Sequence, residues 1–283
     1  VTPYVTWLKG CWVAVNTAPD GDTLQFMPDS GTQTQMIWGR LRWSSGRSLT
    51  VRLYGIDAPE IHYHRRGYPV VRQPYPWGES AAQYLLRFLG FQGCQYSIGG
   101  RLVEGYPSRI PGMLGLMQCD RHGRAVGLAS RETLRATTSS IAAWENSANL
   151  HLIRSGAVWP LFHGAFPSIW MPSLLQALHE ARLAKRGIWR DEITHKGFPY
   201  NPKDWPLLQQ TLLIWPFLFR RLADAQARIL KYPNTSLLWQ LGQVTSRVTL
   251  RSSNCSVRFT DLIDHSQHYL QLLVAPEEII FSS

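Results

Sequence analysis

Hydrophobic and polar positions alternate with the two-residue period of a half-buried strand over residues 5–15 and again over 23–26. Between these runs, Ala18-Pro19-Asp20-Gly21-Asp22 is a turn-forming cluster. After polar, Gly-containing breaks at 28–34 and 44–47, Leu49-Thr50-Val51-Arg52-Leu53-Tyr54-Gly55 predicts a further strand. Alternation places Arg52, Tyr54 and Ile56 on one face and Leu53 and Gly55 on the other. The period changes at 78–88, where Ala81, Leu85 and Phe88, flanked by Ala82 and Leu86, form one apolar helical stripe that Gly90 stops. Residues 93–130 predict strands broken by a Gly/Pro-rich insertion at 99–115. Helices at 148–154 and 173–185, closed by Gly156 and Gly187, follow.

A second region begins after 195–204, where Gly197, Pro199 and Pro202 predict a linker between units at 1–194 and 205–283. Residues 206–230 are apolar and then basic, with Leu218, Leu222, Ala225 and Ile229 at helical spacing. Residues 244–250, 255–259 and 269–274 alternate like strands, so a small α+β unit is expected. The longest unbroken apolar run, 212–219, contains Pro216 and falls well short of the roughly 20 residues a membrane-spanning helix needs. No transmembrane segment is predicted, and no fixed-period repeat is present.

Composition and charge narrow the partners. With 45% hydrophobic and 17% charged residues over 283 positions, the chain is globular rather than a disordered polyelectrolyte. Its net charge of +10 favours a polyanionic partner, nucleic acid first and an anionic membrane surface second. The excess is +7 over 1–194 and +3 over 195–283, which puts the expected contact mainly in the first part. Arg220, Arg221, Arg247, Arg251 and Arg258 in the second part read as solubilising charge or as support for nucleic-acid binding. Cys11, Cys94, Cys119 and Cys255 form no C-x-x-C pair, which excludes a zinc ribbon; one or two bridges and four buried thiols both remain open.

Three segments combine acids and arginines: Asp20-Gly21-Asp22-Thr23, then Arg52-Leu53-Tyr54-Gly55-Ile56-Asp57-Ala58-Pro59-Glu60, then Asp120-Arg121-His122-Gly123-Arg124. If 49–56 is a strand, Asp57 falls where the chain leaves the sheet, and Pro59 turns Glu60 back towards it. Converging carboxylates repel unless a cation lies between them. Hard oxygen donors suit calcium or magnesium, not zinc. A phosphodiester hydrolase uses such groups: a carboxylate to take a proton from water, and arginine forks to match and stabilise the charged phosphoryl oxygens. Taken singly, each segment reads as turn-shaping acids and surface pairs; the three together point to chemistry.

These residues resemble the thermonuclease, or staphylococcal nuclease-like, family. The resemblance runs through Asp-Gly-Asp-Thr at 20–23, Val-Arg-Leu-Tyr-Gly-Ile-Asp-Ala-Pro-Glu at 51–60, Trp-Gly-Glu-Ser-Ala-Ala at 77–82 and Asp-Arg-His-Gly-Arg at 120–124. It continues through Leu-Ile-Arg-Ser-Gly-Ala at 152–157 to Lys-Arg-Gly-Ile-Trp at 185–189, covering roughly residues 5–192. It implies a mainly β fold with helices: a five-stranded OB-fold barrel with three helices, here followed by the small α+β unit. It also implies one calcium ion and sequence-tolerant hydrolysis of DNA and/or RNA to 3′-phosphate ends, with no obligate protein partner evident. Position by position, Asp22 and Asp57 match metal-binding carboxylates, and Ala58 stands where threonine offers its carbonyl. Glu60 matches the general base, and Arg52 and Arg124 match the phosphate-binding arginines. Arg121, His122, Arg65, Arg66 and Phe162 are the expected substrate contacts; His122 reads equally as a solvated turn residue, and Phe162 reads better as core packing. His62 and His64 lack the further ligands of a zinc site. A secreted or envelope setting, rich in calcium, suits such an enzyme. The alternative is a non-catalytic binding module of the same fold, in which the acids would ordinarily be lost.

Overall fold

The structure is a computed structural model that describes residues 4–30, 41–44, 47–64, 67–97, 101–131, 139–164, 166–232, 234–243, 247–266 and 269–282. Five strands close a barrel: β1 (Thr6–Val13), β2 (Thr23–Pro28), β3 (Ser48–Leu53), β4 (Arg109–Cys119) and β5 (Ala125–Arg131). β1 pairs antiparallel with β2 and β4, β2 with β3, and β4 with β5. The parallel pairing of β3 with β5, Val51 opposite Ala125, closes the circle. The inward positions are those the alternation marks: Leu8 and Trp12, Leu24 and Phe26, Val51 and Leu53 are all buried. Trp12 also donates its indole N–H to the Ser130 carbonyl at 2.9 Å, so its polar edge is satisfied inside the barrel. At Gly127 the strands come so close that a Cβ would lie 2.1 Å from the Gly115 carbonyl oxygen.

The expected insertion at 99–115 is partly barrel wall. β4 starts at Arg109 and runs 11 residues, while Gln92–Tyr96 and Leu102–Tyr106 pair as a separate hairpin. Its glycines and prolines mislead because Gly112 and Gly115 face large side chains, Trp12 and Trp7, that replace the missing Cβ in the packing. Helix α1 (Trp77–Leu89) buries Ala81, Leu85 and Leu89 against the barrel and ends at Gly90, whose φ of 108° only glycine adopts readily. Next come α2 (Ser140–Glu145), α3 (Ala148–Arg154) and α4 (Met171–Leu183). The expected helix at 148–154 is α3, capped by the Ser147 hydroxyl, which accepts from the Leu150 N–H at 3.3 Å, and α2 is an additional short helix before it. Asn149 in α3 is fully buried. It donates to the carbonyls of Tyr54 and Gly127 at 2.9 and 3.1 Å and accepts from the Ala129 N–H at 3.1 Å.

The second region holds α5 (Trp205–Thr211), α6 (Pro216–Lys231) and α7 (Leu237–Gly242) with short strands. Its core, centred on Trp215, Phe217, Phe219, Phe259 and Phe281, also takes in Trp159, Leu161 and Ile188 from the first region. Phe162–His163 joins Ile279–Phe281 as a parallel pair, stitching the two regions together by backbone hydrogen bonds. Residues 195–204, expected as a linker, carry a short strand and buried side chains. Phe198–Pro199 pairs with Tyr269–Leu272, and Phe198 and Tyr200 are buried. All four cysteines are free thiols. Among the described residues no helix is long and apolar enough to cross a membrane.

Candidate active site

Asp22 is positioned by a turn that only glycine permits. A Cβ at Gly21 would lie 2.5 Å from the Ala81 Cβ and 2.7 Å from the Ala58 Cβ. The Asp22 carbonyl accepts from the Leu53 N–H at 2.8 Å, which locks the turn onto the end of β3. Gly55, at φ 77°, then breaks the strand's alternation, and the chain re-pairs at Asp57 opposite Trp159. Tyr54 and Ile56 therefore lie buried, while Arg52, expected on the same face, keeps 18% of its side chain exposed. Glu60 is fixed through its backbone: its N–H donates to the Gln73 side chain at 3.0 Å, and its carbonyl accepts from the Gln73 N–H at 2.8 Å.

These segments bring their charged ends to one point. Arg52 donates from Nη1 to Asp22 Oδ1 at 2.5 Å and from Nη2 to Asp57 Oδ1 at 2.6 Å. Asp22 and Asp57 are almost fully buried, 1% and 0% exposed. The other Asp22 oxygen accepts from the Ala58 N–H at 2.7 Å. A second guanidinium enters from α6: Arg220 bonds both oxygens of Asp57, at 3.1 and 3.0 Å, and also Glu60. From the sequence, Arg220 reads as solubilising charge or as support for nucleic-acid binding, not as part of this cluster. Its only signal was an Arg-Arg pair directly after the most apolar run in the chain, where solubilising charge is not needed.

Electrostatics follow from this crowding. Burial, then the negative fields of Asp22 and Glu60, push the Asp20 carboxyl well above its ordinary range. Burial also raises Glu60, with Arg220 opposing it. Burial alone would lower the two guanidiniums, but Asp22 and Asp57 outweigh it at Arg52, and Asp57 and Glu60 at Arg220, so both stay firmly charged. His163, on the strand shared between the two regions, lies in the same field. Burial lowers its pKa, and Arg52 and Arg220 act in the same direction against Asp57.

The remaining expected residues fall elsewhere. Arg124 bonds Asp120, Nε to Oδ2 at 2.6 Å, at the rim of the barrel rather than in the carboxylate cluster. Its neighbours Arg121 and His122 are exposed and paired with each other at 3.1 Å. On α6, Arg221 pairs with Asp224 at 3.6 Å, and burial lowers its pKa. Arg65 and Arg66 lie outside the described residues. Phe162 is corrected to a core residue. It is 1% exposed and packs on Phe166 at 4.7 Å, leaving no free face for a nucleotide.

Calcium on Asp22, Asp57 and the Ala58 carbonyl fits the donor chemistry but not the arrangement. All four oxygens of the two aspartates already accept N–H donors. Among the described residues no group of three acidic, histidine or cysteine side chains is placed to hold an ion. Nor is Arg220 loosely seated. Phe217, Leu218, Phe219 and Leu222 of the same helix are buried, about 1.5–3 kcal/mol each and roughly 6–12 kcal/mol together. An ion at these oxygens would have to compete with the guanidiniums of Arg52 and Arg220.

A search of curated proteins finds no match for the chain. The family model described as staphylococcal nuclease homologue matches residues 50–191, a span that holds Arg52, Asp57, Glu60 and Arg124. It ends before α6 and begins after the Asp20–Thr23 turn. The closed five-stranded barrel and its helices have the architecture of that family's OB fold. On sequence match and fold alike, this chain belongs to the staphylococcal nuclease homologue family.

Proposed function

We propose that this chain is a nuclease, hydrolysing phosphodiester bonds of DNA and/or RNA with little sequence specificity and leaving 3′-phosphate ends. The observation that carries the reading is the convergence of Asp22, Asp57 and Glu60 around guanidinium groups at the mouth of the barrel. In the proposed reaction the strand lies along the basic rim of Arg121, His122 and Arg124. Arg52 has five N–H donors and spends two nitrogens on the aspartates, so donors remain for a phosphate oxygen. Glu60 takes the proton of a water attacking phosphorus, the new P–O bond forms, the bond to the 5′ oxygen breaks, and that oxygen leaves as the 5′-hydroxyl with a proton from solvent. Asp22 and Asp57 hold Arg52 in place for this step.

One observation favours a second reading, a nucleic-acid-binding module without catalysis: Arg220 occupies Asp57 and Glu60 together. The experiment that separates them is incubation of end-labelled single-stranded DNA and RNA with the full chain, with and without calcium, followed by end-group analysis. Cleavage to 3′-phosphates that Arg52→Ala abolishes supports the nuclease. Retention of intact strands on the protein, with no cleavage in any buffer, supports the module.

A further inference from the structure

We propose that Arg220 is the resident cation of the carboxylate site, held by the C-terminal region in the place a divalent ion would take. The inference rests on the proposed function only in treating these carboxylates as the working centre. Three acids, Asp22, Asp57 and Glu60, share two guanidiniums, Arg52 and Arg220. Without Arg220, Glu60 would have no hydrogen-bonded cation among the described residues and Asp57 would share Arg52 with Asp22, the situation that otherwise draws in a metal. Arg220 grips Asp57 bidentately, the geometry that makes a guanidinium–carboxylate pair directional as well as charged.

The seat of Arg220 is braced at several independent points. One turn further along α6, Asp224 accepts from the Tyr63 hydroxyl at 2.9 Å. Gln73, which holds the Glu60 backbone, donates its side-chain amide to the Ile214 carbonyl at 2.6 Å, just before the helix. The parallel pairing of Phe162–His163 with Ile279–Phe281 fixes the region from another side. Arg220 is thus part of the folded site, and calcium must compete with it for the same oxygens.

The test is calorimetric titration of the full chain with calcium chloride, for wild type, Asp57→Asn, Arg220→Gln and the double variant, with the melting temperature measured in parallel. Wild type is expected to show no saturable site through the low millimolar range and no calcium-dependent rise in melting temperature. Arg220→Gln is expected to bind one ion at least about tenfold more tightly than wild type and to gain thermal stability with calcium, and the added Asp57→Asn should abolish both. A single wild-type site that Asp57→Asn removes would overturn the assignment, even if Arg220→Gln failed to fold. A folded Arg220→Gln with no gain in calcium binding would overturn it too. None of the titrations contains nucleic acid, so the outcome is independent of whether the chain cleaves.

Discussion

Arg52 and Arg220 bond the same carboxylate, Asp57, from regions built in different ways. Arg52 stands on β3 between buried Val51 and Leu53, and both of its carboxylate partners come from the barrel. Arg220 stands on a helix whose other large side chains fill a separate aromatic core, and it reaches its partners 163 and 160 positions back along the chain. The barrel therefore supplies a complete set of acids but only part of the positive charge that balances them. The region outside the family match supplies the rest.

The largest expected effect probes this asymmetry directly. Arg220→Ala leaves Glu60 without a cation in a buried setting and should destabilise the protein by about 3–5 kcal/mol in urea denaturation. Arg52→Ala should be milder, because Asp57 keeps Arg220, and Asp22 keeps the Thr23 hydroxyl at 3.0 Å and the Ala58 N–H. Equal losses would mean the two arginines are interchangeable and the comparison empty. Next in size, Asn149→Ala removes three hydrogen bonds that tie α3 to the barrel and should cost about 2 kcal/mol while leaving the C-terminal core intact. Retained stability in the same urea titration would show that α3 is held by packing alone. The smallest, Tyr63→Phe, deletes one hydrogen bond to Asp224 and should cost about 1 kcal/mol. A much larger loss would reveal that the seating of α6 depends on this one contact.

What could be read from the sequence divides along the same line. Barrel strands announce themselves because one buried face forces a two-residue period, and Gly90, Gly156 and Gly187 mark helix ends through their positive φ. Arg52, Asp57 and Glu60 could be anticipated because the strand end and the Pro59 turn bring them together, and Asp22 only through the family resemblance. β4 was hidden because glycines that accommodate Trp7 and Trp12 look like loop glycines. Arg220 was hidden for a deeper reason: an ion pair across 163 positions has no local period, and on its own helix the residue is one arginine among several. The order of Arg124 and Arg220 was reversed as a result. The motif arginine sits at the rim on Asp120, and the one without a motif enters the site.

The most direct test of the nuclease reading is the single-turnover cleavage rate of a labelled oligonucleotide by the wild-type chain and by Glu60→Gln, each shown to be folded by circular dichroism. The account predicts wild-type cleavage faster by about 10²–10³, the scale of removing one well-placed catalytic group. Equal rates for the two proteins, or tight binding by both with no cleavage, would contradict it.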